Sequence, residues 1–267
     1  MSDRARRFRA LHHADRPLVL PNAWDHASAA ALAAAGFSAV GTTSLGVAAA
    51  AGKPDATGGT REETLTLARR LAALPCPVTV DIESGFGGTP AQVAELAAEL
   101  AAAGIAGINI EDGRPDGTLA PVAGRCETIA AVKSRVPGLF VNARTDTFWL
   151  GDGSMSQTLT RARAYARAGA DGVFVPGVAT DDDIRAIVDA VPLPLNVLFL
   201  PGRHTVPALA ALGVRRISTG SLLLRAALHA VVTTARAVAD GGRVPAGLPS
   251  YAEVQALAAG DDPEAGT

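Results

Sequence analysis

Short runs of apolar and β-branched residues alternate along the chain with longer segments in which alanine, leucine and arginine recur at helical spacing. The apolar runs fall at 18–21, 38–42, 78–83, 106–111, 139–144, 172–176, 195–199 and 215–219. The helical segments fall at about 26–35, 61–74, 90–103, 124–135, 156–168, 180–190, 204–212 and 221–239. A strand–helix unit repeated eight times predicts an α/β chain closed into a single (β/α)8 barrel of the TIM type. Gly36, Gly104, Gly169 and Gly213 each follow an alanine-rich helical stretch, where a left-handed residue ends the helix. Thr89-Pro90 and Thr180-Asp181 carry the residues of helix starts. The rival arrangement, an open doubly wound sheet, needs a glycine fingerprint after the first strand that is missing here. An N-terminal helical segment precedes the barrel. Residues 1–258 read as one barrel domain, and the acidic, small-residue stretch 259–267 as a disordered tail.

Composition narrows the function. The 267 residues suffice to bury one large core. With 24 Lys+Arg against 26 Asp+Glu the formal charge is -2, which gives no positive field to hold nucleic acid or an anionic membrane. Cys76 and Cys126 are too few for a disulfide scaffold or a cysteine zinc site, and the five histidines show no metal-binding spacing. The first residues are charged, and no stretch approaches an uninterrupted apolar run of ~20 residues. The expectation is a cytoplasmic protein with a small-molecule partner and with neither nucleic acid nor membrane.

In such a barrel the reactive groups stand at the C-terminal ends of the strands. The third run ends VTVDIES and puts Asp81 and Glu83 two residues apart, on one side of an extended strand. The fourth ends INIEDG, with Glu111 and Asp112 at the corresponding level. Carboxylates gathered without a cation between them raise each other's pKa, and a hard divalent ion with oxygen ligands and retained waters relieves that repulsion. Asp81, Glu83 and Glu111 are therefore candidate metal ligands and Mg2+ the candidate ion; helix capping or pairing with rim arginines is the plainer alternative. Arg144, ending the fifth run, is placed to clamp a carboxylate or phosphate, or else to bridge to Asp146 or Glu111. Thr42, Thr43 and Ser44 offer hydroxyls and N–H groups to an anion. Asn196 adds a polar strand end, and Ser218 to Ser221 form a small-residue turn that suits either phosphate or a helix cap. Lys53 and Lys133, the two lysines, end no strand, which disfavours imine chemistry. The glycine- and proline-rich segment 112–125 has the composition of a cover over the site or of an ordinary surface loop.

Taken in order, PNAWD (21–25), GTTSLGVAAAAGKPD (41–55), VDIESGFGG (80–88), INIEDG (108–113) and VNARTD (141–146) resemble the isocitrate lyase/phosphoenolpyruvate mutase superfamily, over about residues 18–240. The resemblance implies Asp81 as the main magnesium ligand, largely through water, with Glu83 and Glu111 completing the acidic shell. It implies Arg144 as the holder of a substrate carboxylate and Thr43, Ser44 and Leu45 as the cradle of the oxo-acid end. Asp55 would stand near the reacting group, a catalytic candidate beside Arg144. It also implies a homo-oligomer, a dimer or more usually a tetramer built from dimers that exchange C-terminal helices, with 249–258 docking on a neighbouring subunit. Two departures stand out. The loop after the fourth strand, GRPDGTLAPVAGRCE, lacks both the K-[KR]-C-G-H element of the lyases and the Lys and Asn-Ser pair of the phosphonomutases. Pro176-Gly177 stands where the lyases carry Glu at the end of the sixth strand. What the resemblance leaves intact is a magnesium ion and Arg144 stabilising an enolate or oxo-acid anion. The expected function is a magnesium-dependent lyase that cleaves a C–C bond of a small 2-hydroxy or 2-oxo carboxylic acid. P–C chemistry on a phosphonopyruvate-like substrate is the alternative, and a non-catalytic carboxylate-binding barrel the third reading.

Overall fold

The computed structural model describes residues 2–150 and 153–258. The chain runs α1 (Asp3–Leu11), β1 (Leu18–Leu20), β2 (Asn22–Ala23), α2 (His26–Ala34), β3 (Val40–Thr42), α3 (Ser44–Ala50), α4 (Arg61–Leu71), β4 (Val78–Asp81) and α5 (Pro90–Ala102). It continues through β5 (Gly107–Glu111), α6 (Val122–Arg135), β6 (Phe140–Arg144), α7 (Met155–Arg167), β7 (Gly172–Val175), α8 (Asp181–Ala190) and β8 (Leu195–Leu198). It ends with α9 (Val206–Ala211), β9 (Arg216–Ser218), α10 (Leu222–Ala239) and α11 (Tyr251–Ala258). The strands form one parallel sheet in the order β1-β9-β8-β7-β6-β5-β4-β3-β2. Pro21, which has no N–H for a ladder, divides the first run in two. Because β1 pairs with β9 and β2 with β3, residues 18–23 staple the two ends of the sheet together and close the TIM-type barrel. All eight expected runs are barrel strands, the first of them in two pieces.

Local signals act where the sequence places them. Gly36, Gly104, Gly169 and Gly213 have φ of +86°, +100°, +101° and +88°. Thr89 and Thr180 cap α5 and α8 through their side chains. The expected tail 259–267 lies outside the described residues.

Helix α1 closes the N-terminal end of the barrel. Phe8 is fully buried and meets Phe140 edge-on with ring centres 5.3 Å apart. Gly107 makes this plug possible, since a Cβ there would lie 2.9 Å from the Phe8 ring and from the Phe140 carbonyl oxygen. The His12 ring stacks on Phe140 at 4.1 Å, and its Nδ1 donates to the Phe8 carbonyl over 2.8 Å. Burial, aided by the Arg216 charge, pushes the His12 pKa down to about 3. An unfolded chain takes up this proton near pH 6.5 and the folded chain does not, so stability falls as pH drops from about 6.5 toward 3, by up to ~1.4 kcal/mol per pH unit. Urea midpoints measured between pH 7 and 4 are expected to fall less steeply for His12→Phe than for the parent chain.

The outer end of the fold is different in character. On α10, Leu228, Val231, Val232 and Val238 are exposed. By length and composition this helix could cross a membrane, although Arg225 and Arg236 interrupt it. Helix α11 packs against α2, where His26 Nε2 donates to the Leu257 carbonyl over 3.1 Å.

Candidate active site

At the C-terminal mouth of the barrel lies a cavity of about 150 Å3. Its acidic sector is lined by Asp81 from the end of β4, Glu111 from the end of β5 and Asp55 from the segment after α3. Arg144, from the end of β6, faces them. Asp81 is fixed from both sides: its N–H donates to Thr42 Oγ1 over 2.9 Å, and its Oδ1 accepts the Glu83 N–H over 3.1 Å. Burial pushes the Asp81 pKa up to about 6, with Asp55 and Glu83 adding to the rise and Arg144 opposing it. Burial likewise pushes Glu111 up to about 8; Arg144 opposes the rise, and Asp81, Asp146 and Asp55 add to it. Asp55 Oδ1 is buried and unpartnered among the described residues. The site thus holds more carboxylate than one guanidinium neutralises, and it is completed either by protons or by a cation.

Glu83 does not line this cavity. The extended alternation ends at Asp81, and Glu83 takes a left-handed φ of +50° that turns its side chain away. Its carboxylate, 2% exposed, accepts the Gly58 N–H over 2.8 Å and the Thr60 hydroxyl over 2.7 Å. Two hydrogen bonds hold this strained residue, and through them Glu83 fixes the loop that follows Asp55. The same-side expectation for Asp81 and Glu83 fails because it assumes a strand two residues longer than the one that forms.

Arg144 joins both of its expected partners. Nη1 lies 2.8 Å from Glu111 Oε2, and Nε lies 2.6 Å from Asp146 Oδ1. The guanidinium also lies over the rings of Phe174 and Trp149, at 5.7 and 5.9 Å. Behind it stands a second buried layer that sequence reasoning passed over. The Asp146 N–H donates to Asp112 Oδ1 over 2.8 Å, and Asp112 Oδ2 accepts from the Tyr165 hydroxyl at 2.6 Å and from Arg161 Nη1 at 3.1 Å. Burial beside Asp112 raises the Tyr165 hydroxyl above its ordinary pKa. The signal was present as the second acid of IEDG, as the acid that closes ARTD and as the Arg161/Tyr165 spacing of four on α7, which places both on one helix face.

Other expected groups fall in different places. Thr43, Ser44 and Leu45 line the cavity at the start of α3, a helix the sequence reading did not foresee, and the first N–H groups of a helix have no partner within it. Asn196 lies one layer below the cavity, fully buried, its Oδ1 accepting from the Ser218 hydroxyl over 3.1 Å, and so does not reach a substrate. The turn after β9 is not free for phosphate, because the Thr219 and Gly220 N–H groups both donate to Asn22 Oδ1, at 3.0 and 2.9 Å. In that lower layer Arg216 is fully buried and, among the described residues, hydrogen-bonds only neutral groups, Asn109 Oδ1 at 3.1 Å and Ser218 Oγ at 3.2 Å. The segment after β5 folds back on itself through a bridge between Gly113 and Leu119, and its tip does not line the cavity. Gly113 donates its N–H to Asp146 Oδ2 over 3.2 Å, and a Cβ there would come within 2.4 Å of that same oxygen.

The donor set suits a hard divalent ion. Asp81 and Glu111 offer only oxygen, and their repulsion is what such an ion relieves. Among the described residues no three acid, histidine or cysteine side chains come close enough to hold a metal by themselves. An ion here would therefore keep much of its water.

The family model for phosphoenolpyruvate phosphomutase matches residues 8–239. The uncharacterized protein Rv1998c of Mycobacterium tuberculosis (strain ATCC 25618 / H37Rv) is 46% identical over 250 residues, covering 93% of this chain and 95% of its own. The 2-methylisocitrate lyase of Bacillus subtilis (strain 168) is 33% identical over 200 residues, 72% of this chain and 65% of that protein. Among solved structures, one from Burkholderia cenocepacia J2315 assigned to the phosphonomutases superposes with a TM-score of 0.84 at 40% identity, covering 88% of this chain and all of that one. Phosphonopyruvate hydrolase, solved with oxalate and Mg2+, superposes with a TM-score of 0.84 at 27% identity, covering 96% and 95%. The order of strands, the strand-end acids and these matches converge: the chain belongs to the phosphoenolpyruvate phosphomutase family, within the isocitrate lyase/phosphoenolpyruvate mutase superfamily.

Proposed function

We propose that the protein is a magnesium-dependent lyase that cleaves a C–C bond of a small 2-hydroxy or 2-oxo carboxylic acid by way of an enolate. The observation that carries this reading is the convergence of Asp55, Asp81 and Glu111 on the single guanidinium of Arg144 in one small cavity. Mg2+, when bound at Asp81 and Glu111, supplies positive charge to the developing enolate oxygen. Arg144 binds the substrate carboxylate and holds it in plane, while the first turn of α3 at Thr43, Ser44 and Leu45 orients the oxo-acid end. Asp55, whose buried Oδ1 has no partner among the described residues, is the proton-transfer group, since no side chain of the segment after β5 reaches the cavity. Glu83 serves the site through the loop it holds.

A P–C bond reading is supported by the likeness to phosphonopyruvate hydrolase and weakened by the lack of any lysine in the cavity lining. A second copy of this chain covers the apolar face of α10 in a soluble, cytoplasmic homo-oligomer.

Calorimetry with oxalate, which mimics the pyruvate enolate, tests the reading. Oxalate is expected to bind only with Mg2+, and Asp81→Asn to weaken that binding about 100-fold, or roughly 2.7 kcal/mol, with the melting temperature little changed. Equal binding with and without magnesium would overturn it. Release of a carbonyl fragment or of phosphate in a substrate screen then separates C–C from P–C chemistry, and oxalate binding without any turnover would favour the non-catalytic barrel.

A further inference from the structure

The cavity has an acidic sector, an apolar sector and, on the β9-β2 side, a neutral polar sector of Asn22, Ser218, Gly220 and Ser221, in which the Gly220 N–H already donates to Asn22 and the Ser218 hydroxyl to Asn196. Its acids come from β4, β5 and the segment after α3, whereas the sector of β6 to β8 is closed by Trp149, Phe174, Pro176 and Leu198. Arg144 stands at the border, paired in register with Phe174 and lying over both aromatic rings. A substrate held by its oxo-acid end between the acids and Arg144 therefore extends along the strand order into an apolar wall.

The wall offers nothing to a second negative charge. Arg144 is the only cationic side chain lining the cavity among the described residues, and it already serves Glu111 and Asp146. Lys53 is held outside by Glu63 and the Gly59 carbonyl, and Arg203 by the Ala179 carbonyl. An anionic group pressed against Phe174, Pro176 and Leu198 would lose its hydration without gaining a partner. A small aliphatic group would gain by the same burial.

Resting on the lyase reading above, we infer that the substrate carries one carboxylate, at its oxo- or hydroxy-acid end, and a short branched aliphatic group at the other end, with Trp149 and Phe174 setting this preference. Di- and tricarboxylic acids, and phosphonates with a distal phosphoryl group, are poor fits to this chain.

The test is calorimetric titration of the magnesium-loaded protein with oxalate, 2-oxoisovalerate and 2-oxoglutarate. Oxalate reports on the shared metal and Arg144 end alone. The expected result is that 2-oxoisovalerate binds at least about tenfold more tightly than 2-oxoglutarate, the scale of discrimination an apolar pocket provides. Trp149→Ala should weaken 2-oxoisovalerate more than oxalate. Trp149→Lys, at a residue 56% exposed and so free to change without disturbing the core, should narrow or reverse the preference for the apolar acid. If oxalate binds and 2-oxoglutarate is held as tightly as 2-oxoisovalerate, or 2-oxoisovalerate is not held at all, the inference falls and the lyase reading stands. If oxalate itself does not bind with magnesium, both fall together.

Discussion

Asp112→Ala is expected to destabilise the fold by about 3–5 kcal/mol, the effect of removing one partner of a buried ion pair. Asp112 is fully buried and receives the Tyr165 hydroxyl and the Arg161 guanidinium on one oxygen and the Asp146 N–H on the other. Without it, Arg161 becomes a buried charge with only the Ala120 carbonyl and the Tyr165 hydroxyl beside it. Urea unfolding measures the loss. Removing both charges in Asp112→Leu with Arg161→Met should restore roughly half or more of it, because the isolated charge and not the lost bond is the larger penalty. A single variant within about 1 kcal/mol of the parent would show that the pair contributes little. Magnesium-dependent oxalate binding should weaken as well, since Asp146 would lose the anchor that presents it to Arg144.

The second large effect is expected at Arg144. Arg144→Met leaves Glu111 and Asp146 buried close together with no counter-charge, and oxalate affinity should fall by about 100-fold or more as the bidentate donor is lost. The stability change should depend on pH in a definite direction. Burial already raises both carboxyl pKa values, and losing the guanidinium raises them further above their unfolded values. Groups of that kind bind more protons folded than unfolded, so their stability contribution declines as pH rises above the unfolded carboxylate range. Relative to the parent chain, Arg144→Met should be near its best at pH 5 and lose about 3 kcal/mol by pH 8. Urea unfolding at those two pH values checks the sign. A deficit that is equal at both would mean that the two acids do not depend on Arg144.

The barrel was legible in the sequence because its code is periodic and local. Eight apolar runs became eight barrel strands, and the glycine stops at 36, 104, 169 and 213 took the left-handed conformation that caps require. The residues that the cavity gathers were partly legible, since Asp81, Glu111 and Arg144 each end a strand. What was not legible depends on where strands stop and on which layer a residue occupies. Glu83 has the right type and spacing, yet β4 ends before it, and the left-handed turn sends its carboxylate to Gly58 and Thr60. Asn196 shares its strand face with Leu198, but it sits one layer deeper and bonds Ser218 instead of reaching the cavity. Helix α3 was hidden in a run whose glycines at 46 and 52 argue against a helix by propensity. Arg216 falls within the run 215–219, and nothing in its neighbours announces that its side chain points into the barrel and bonds Asn109 and Ser218.

The contact between Gly113 and Asp146 has a consequence for how this fold can diversify. No side chain fits at position 113 without displacing the carboxylate that holds Arg144, whereas Gly117, at the exposed tip of the same hairpin, has open space around its Cβ position. The hinge of the segment is thus tied through Asp146 to Arg144, while its tip lines no part of the cavity among the described residues. Insertions or replacements between 114 and 118 can be grafted as a cassette, and new acid, base or thiol chemistry can be lowered onto an unchanged platform of strand-end acids and guanidinium.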